Sequence, residues 1–167
     1  VNRSLEYLIE VEALVPFDSS KGLVIDVFHD HLKPSLPLYN IKGANSLVSV
    51  LSGIFAKDHK LDEAIILNSE SNLCETTASN IFVVKDNIIY TPSISSGCVD
   101  GIIRKQLFEN ATEWGLNIVE KDMKSFELIK ADEVFLTNSI KGIQWVKSYK
   151  KKNYTNSISQ AMRLKLM

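Results

Sequence analysis

The chain has 167 residues, 45% of them hydrophobic and 23% charged, with a formal net charge of −1. At that length folding buries roughly 70% of the unfolded surface, and a charge near zero argues against nucleic-acid or polybasic membrane roles, which need a basic face. No apolar run approaches the roughly 20 residues of a spanning helix, and residues 1–4 do not read as a signal peptide.

The chain starts with "SLEYLIEVEALV", whose alternation of Leu5, Tyr7, Ile9 and Val11 predicts a strand. No partner strand precedes it and there is no initiator methionine, so an N-terminal portion is expected before Val1 in the native protein. "KGLVIDVFHDHL" reads as a second strand, followed by the Pro-punctuated connection "KPSLPLYNIKG". Next comes a helix, "ANSLVSVLSGIFAKDHK", with Leu47, Leu51, Ile54 and Phe55 at one-face spacing. "DEAIILN" predicts a buried strand, and "IFVVKDNIIYTP" a hairpin closed by Asp86-Asn87. The loop "SISSGCVD" leads into a helix over "GIIRKQLFENATEW", ended by Gly115. "LNIVEK" reads as a short strand, and Ser125 as the cap of a brief helical turn. Strands "DEVFLTN" and "GIQWVKSY", the turn "KKKN" and a helix from Ser157 complete the chain. Strands outnumber helices in irregular order, which predicts a mixed α+β domain or an α/β barrel-like sheet, not a βαβ repeat. Cys74 and Cys98 sit in small-polar loops without CxxC spacing, which fits reduced thiols in a cytoplasmic protein and not a metal site.

Within "NLCETTASNIF", Glu75 leads into a core strand, where a carboxylate costs several kcal/mol unless it meets a cation or water. Lys42, in "LYNIKGANSL", stands among apolar residues just before a helix. A lone lysine is usually a solvated charge, but a partly buried one loses proton affinity and can attack an aldehyde. The loop "SSGCVDGIIRK" leaves the N–H groups of Gly101, Ile102 and Ile103 at a helix start, an arrangement that binds phosphate. Its plainer reading is a loop capped by Asp100. "FLTNSIKG" adds Ser139 Oγ to the same candidate cradle, with simple turn chemistry as the alternative.

A Schiff-base lysine, a phosphate cradle and a carboxylate for a pyridine nitrogen are what pyridoxal phosphate (PLP) requires of a protein. In addition, "IKGANSL", "DEAIILNSESNLCETTASNIFVV", "IIYTP", "CVDGIIR" and "ADEVFLTNS" resemble the successive motifs of class-IV aminotransferases, the fold-type-IV PLP enzymes, from about Ser4 to Tyr149. The resemblance implies pyridoxal 5′-phosphate as cofactor and a twisted β-barrel-like sheet flanked by helices. It makes Lys42 the catalytic, cofactor-bearing lysine, Glu75 the partner of the pyridine nitrogen, Ile102 and Ile103 backbone phosphate donors, and Ser139 a further phosphate contact. It also implies a homodimer acting on a small amino substrate. Residues 1–30 would be the end of an N-terminal region and its connection, and 31–167 the PLP-binding large domain. The family's smaller N-terminal domain, with a phosphate-binding arginine, has no counterpart in the sequence.

"CVDGIIR" with "TNSI" resembles 4-amino-4-deoxychorismate lyases more than transaminases. An amino-acid aminotransferase, branched-chain or D-specific, is the alternative, and an inactive cofactor-binding remnant the third reading. Arg104 is expected to be a structural ion-pair partner on its helix.

Overall fold

The computed structural model describes residues 7–13, 18 and 20–166. Strand β1 (Leu23–Lys33) leads to helix α1 (Leu47–Asp58), strands β2 (Glu63–Asn68) and β3 (Leu73–Thr76), then the hairpin β4 (Asn80–Lys85) and β5 (Ile88–Thr91). Helix α2 (Ile102–Asn110), β6 (Asn117–Glu120) and α3 (Glu127–Lys130) follow, then β7 (Glu133–Asn138), β8 (Gly142–Tyr149), β9 (Lys152–Asn153) and α4 (Ser157–Leu166). The described strands form one curled, half-barrel sheet of mixed α+β type, in the order β3-β2-β1-β8-β7-β4-β5-β6, with β9 on β8.

Continuous apolar runs become strands buried on both faces, as β2 and β7 show. The inner face is filled by Ile25, Ile65, Leu73, Ile81, Leu136 and Val146, closed by Met123 and Leu128. Outside, α1 covers Phe28 and Ala64, while α2 and α4 lay Leu107 and Met162 over Phe82, Phe135 and Ile143. Two parallel crossovers are present, β1–α1–β2 and β5–α2–β6, near opposite ends of an otherwise largely antiparallel order. The expectation of irregular strand order thus holds, with the βαβ units isolated rather than repeated. The Asp86-Asn87 turn has both residues at positive φ, 51° and 62°, the signature of a type I′ hairpin.

Three local expectations are corrected. Leu5 lies outside the described residues, and Tyr7, Ile9 and Val11 belong to no strand and are exposed. Their alternation meets no sheet edge, so no ladder forms. On α1 the four apolar residues keep their helical spacing but are not all buried. Leu51 and Phe55 pack on the sheet, whereas Leu47 and Ile54 are exposed with Val50, forming a second stripe. Ser125 gives no side-chain cap to α3; its carbonyl accepts the Leu128 N–H at 3.3 Å, and Glu127 Oε1 accepts the Lys124 N–H at 3.0 Å.

The C-terminal helix is anchored by a buried charge. Glu133 accepts the N–H groups of Ile158 (3.0 Å) and Ser159 (3.2 Å) at the start of α4. Charge-assisted bonds of this kind contribute about 1.5–3 kcal/mol each, and the positive end of the helix adds to them.

Candidate active site

Two cavities meet at Lys42, Glu75 and Val99. The larger, of about 480 Å³, is also lined by Asn80, Gly101, Ile102, Ile103, Thr137 and Ser139. The smaller, of about 210 Å³, runs past Lys33, Tyr39 and Asn45. All five residues singled out by sequence, Lys42, Glu75, Ile102, Ile103 and Ser139, therefore line one cavity.

Their environments differ from one another. Glu75 is only 5% exposed. Its Oε1 lies 2.7 Å from Lys33 Nζ, and its Oε2 accepts the Val99 N–H at 2.8 Å. Lys33, 6% exposed, also approaches the Tyr39 carbonyl at 3.4 Å. Residues 29–32 of β1 are exposed and the register with β2 breaks before Lys33, so the strand's last residue returns to the interior. The cation that the buried carboxylate meets is thus Lys33, which sequence reasoning passed over as the first residue of a loop. The available signal was a lysine between Leu32 and Pro34 at the end of an apolar strand. Lys42, expected to be partly buried, is instead exposed at the mouth shared by both cavities, because the segment from Ile41 to Asn45 lies on the surface.

At the far side, α2 begins without a side-chain cap. Gly101, not Asp100, is its N-cap, so the Ile102 and Ile103 N–H groups have no acceptor within the helix or from a cap. The Gly101 N–H bonds to the Val99 carbonyl, so it is not free for an anion. A Cβ at Gly101 would lie 2.1 Å from Asn80 Oδ1, so any other residue there would have to displace the Asn80 amide, which is held by the Val99 carbonyl. Thr137, 2% exposed and lining the same cavity, has a buried hydroxyl without a hydrogen-bond partner among the described residues. Asn138 shapes the neighbouring turn by accepting the Ile140 and Lys141 N–H groups at 3.1 and 2.7 Å. Ser139 is exposed at the rim. An uncapped helix start beside an orphaned buried hydroxyl fits a bound phosphate. Thr137, like Lys33, was not singled out by sequence.

The surroundings are structural. Arg104 pairs with Glu120 and donates to the Pro92 carbonyl at 3.2 Å, which places it under the loop and not toward the cavity, as its sequence reading holds. Cys74 and Cys98 are buried and unpaired. Burial, with the Glu75 charge second, pushes the Cys74 thiol well above its ordinary range, and burial also raises Cys98. Among the described residues no group of three or more His, Cys, Asp or Glu side chains is arranged to hold a metal ion, and no helix is long and apolar enough to cross a membrane.

Known proteins share this fold and part of this sequence. A branched-chain-amino-acid aminotransferase of Escherichia coli is 32% identical over 114 residues, 68% of this chain and 37% of that one. The solved structure of an E. coli branched-chain aminotransferase superposes with a TM-score of 0.81 at 25% identity, covering 87% of this chain and 51% of that one. A Legionella pneumophila protein named as a candidate 4-amino-4-deoxychorismate lyase superposes at 0.78 with 28% identity, over 87% of this chain and 56% of that one. A Thermobaculum terrenum branched-chain aminotransferase solved in its PLP form does so at 0.79 with 28% identity, over 86% and 49%. The chain thus spans about half the length of these structures and little more than a third of the E. coli sequence. Residues 7–149 match the family Amino-transferase class IV, and the chain belongs to that family.

Proposed function

We propose that this chain is the cofactor-binding part of a pyridoxal 5′-phosphate enzyme acting on a small amino substrate, with 4-amino-4-deoxychorismate lyase as the preferred reading. The observation that carries the cofactor assignment is the single cavity joining an accessible amine, a buried carboxylate and an uncapped helix start. When bound, the cofactor supplies an aldehyde for amines and a ring that withdraws electrons from the substrate's α-carbon. Lys42 Nζ would hold the aldehyde carbon and, once displaced by a substrate amine, carry protons. Glu75 would keep the ring nitrogen protonated. Ile102 and Ile103 N–H, with Ser139 and Thr137 hydroxyls, would hold the phosphate. On this reading residues 31–167 form the PLP domain and 1–30 the end of the preceding region. The buried, unpaired thiols agree with a cytoplasmic setting.

The preference for a lyase rests on the "CVDGIIR" and "TNSI" segments, which line the larger cavity where the phosphate would lie. The names of the curated relatives favour the second reading, a branched-chain aminotransferase. The two differ in bookkeeping of the amino group. A lyase eliminates pyruvate and needs no second substrate, whereas a transaminase retains the amino group until an oxo acid arrives. The native-length enzyme is expected to convert 4-amino-4-deoxychorismate to 4-aminobenzoate and pyruvate over many turnovers without an oxo acid. Stoichiometric loss of the visible absorbance with leucine, glutamate or a D-amino acid, reversed by 2-oxoglutarate, would establish the transaminase. Cofactor binding without turnover in either assay would establish an inactive remnant.

We also infer a homodimer. Leu47, Val50 and Ile54 form an exposed stripe on α1, and Leu38 and Ile41 are exposed beside the smaller cavity, apolar surface suited to a second subunit. Sedimentation equilibrium should give twice the chain mass, and Val50→Lys should shift the protein to monomer without unfolding it. A monomeric wild type would remove this inference.

A further inference from the structure

We propose that Lys33 is a positioning residue that stands in for the cofactor's ring cation: it holds the Glu75 carboxylate at the cavity junction, and the incoming ring nitrogen must share that carboxylate with it. The proposal rests on the PLP reading above and adds a residue that reading does not contain.

Three observations carry it. Lys33 and Glu75 form an ion pair in which both side chains are nearly sealed from solvent, 7% exposed each, with 2.7 Å between Nζ and Oε1. A carboxylate so placed would be strongly unfavourable alone, and its other oxygen has only the Val99 N–H to offset this. Finally, Lys33 lines the smaller cavity and Glu75 lines both, so the pair lies in the wall between them. Lys33 approaches from one cavity and leaves the other side of the carboxylate open to a ligand.

The consequence is a competition. An ionised carboxylate offers about four lone-pair positions, so Lys33 can remain while a pyridinium N–H binds the same group. Yet a carboxylate whose charge is already balanced gains less from a second cation than one left unbalanced. Lys33 therefore makes the empty site foldable and at the same time lowers its affinity for a protonated ring. The exposed Lys42 does not take this place, because the two oxygens of Glu75 bond to Lys33 Nζ and the Val99 N–H.

Binding separates this from a purely structural ion pair. The full chain is titrated with PLP, with pyridoxine 5′-phosphate, which lacks the aldehyde and so cannot bond to Lys42, and with inorganic phosphate, which lacks the ring. Lys33→Met is expected to lower the Kd for both ring-containing probes by about tenfold, the scale of one charge pair made or withheld at a partly desolvated site. Its phosphate affinity should change by less than about twofold, and Lys33→Arg should behave as wild type. In a Glu75→Gln background the same Lys33→Met change should bring no gain. If Lys33→Met does not fold, Lys33→Gln, neutral and still able to hydrogen-bond, carries the same expectation. Ring probes that bind Lys33→Met (or Lys33→Gln) equally or more weakly than wild type overturn the role of Lys33 and leave the PLP reading standing. A protein to which no variant and no wild type binds either ring probe overturns both.

Discussion

Replacing Lys42 with alanine should reduce turnover of the native-length enzyme by about 10³-fold or more. Proton transfer by a positioned side chain alone contributes about 10²–10⁴-fold, and the covalent hold on the aldehyde is lost with it. The same change should leave thermal stability nearly untouched, within about 0.5 kcal/mol, because Lys42 is exposed and makes no ion pair among the described residues. Steady-state kinetics and a melting curve read the two effects separately. Borohydride treatment of the coloured protein followed by peptide mapping gives an independent check, with the label expected on Lys42. Lys33 is the informative competitor, since it lines the smaller cavity too. A label on Lys33 would move the catalytic amine across the wall and end the assignment of Lys42.

Glu75→Gln should act on both turnover and folding. Removing the charge that holds the ring proton is expected to cost roughly 10²–10³-fold in kcat, the size of a single preorganised electrostatic contribution. Folding suffers as well, because the substitution leaves the Lys33 ammonium buried without its counter-charge, a loss of about 3 kcal/mol or more. The double variant Lys33→Met/Glu75→Gln separates the effects: stability should recover and turnover should not. Near-normal kcat in that double variant would show that Glu75 serves only the fold.

The division between what could and could not be read from the sequence follows from range. Strands β2, β4 and β7 were legible because each is a short, unbroken apolar run, and the Asp86-Asn87 turn because its residues favour positive φ. The residues singled out from the sequence, Lys42, Glu75, Ile102, Ile103 and Ser139, line one cavity, because the motifs that carry them end at the same side of the sheet. Pairing across the chain was not legible. Lys33 and Glu75 meet only because β1 and β3 flank β2, an adjacency that no local pattern encodes. Thr137 looked like an ordinary β-branched strand residue, and its missing hydrogen bond exists only once the strand is packed. The residues 7–13 misled because alternation reports which faces could be buried, not whether a neighbouring strand is there.

The place of β1 in the sheet has a consequence for biosynthesis. It is parallel to β2 on one side and to β8 on the other, and β8 is among the last strands to be made. A chain emerging from the ribosome can pair β1 with β2 early, yet that edge of β1 stays open until Gly142–Tyr149 appears. Long-range parallel pairing of this kind closes slowly, and an open edge can pair with the wrong chain. The start of β1, Leu23–Ile25, is therefore enclosed only near the end of synthesis, and truncation before β8 should yield a sticky intermediate in place of a smaller working domain.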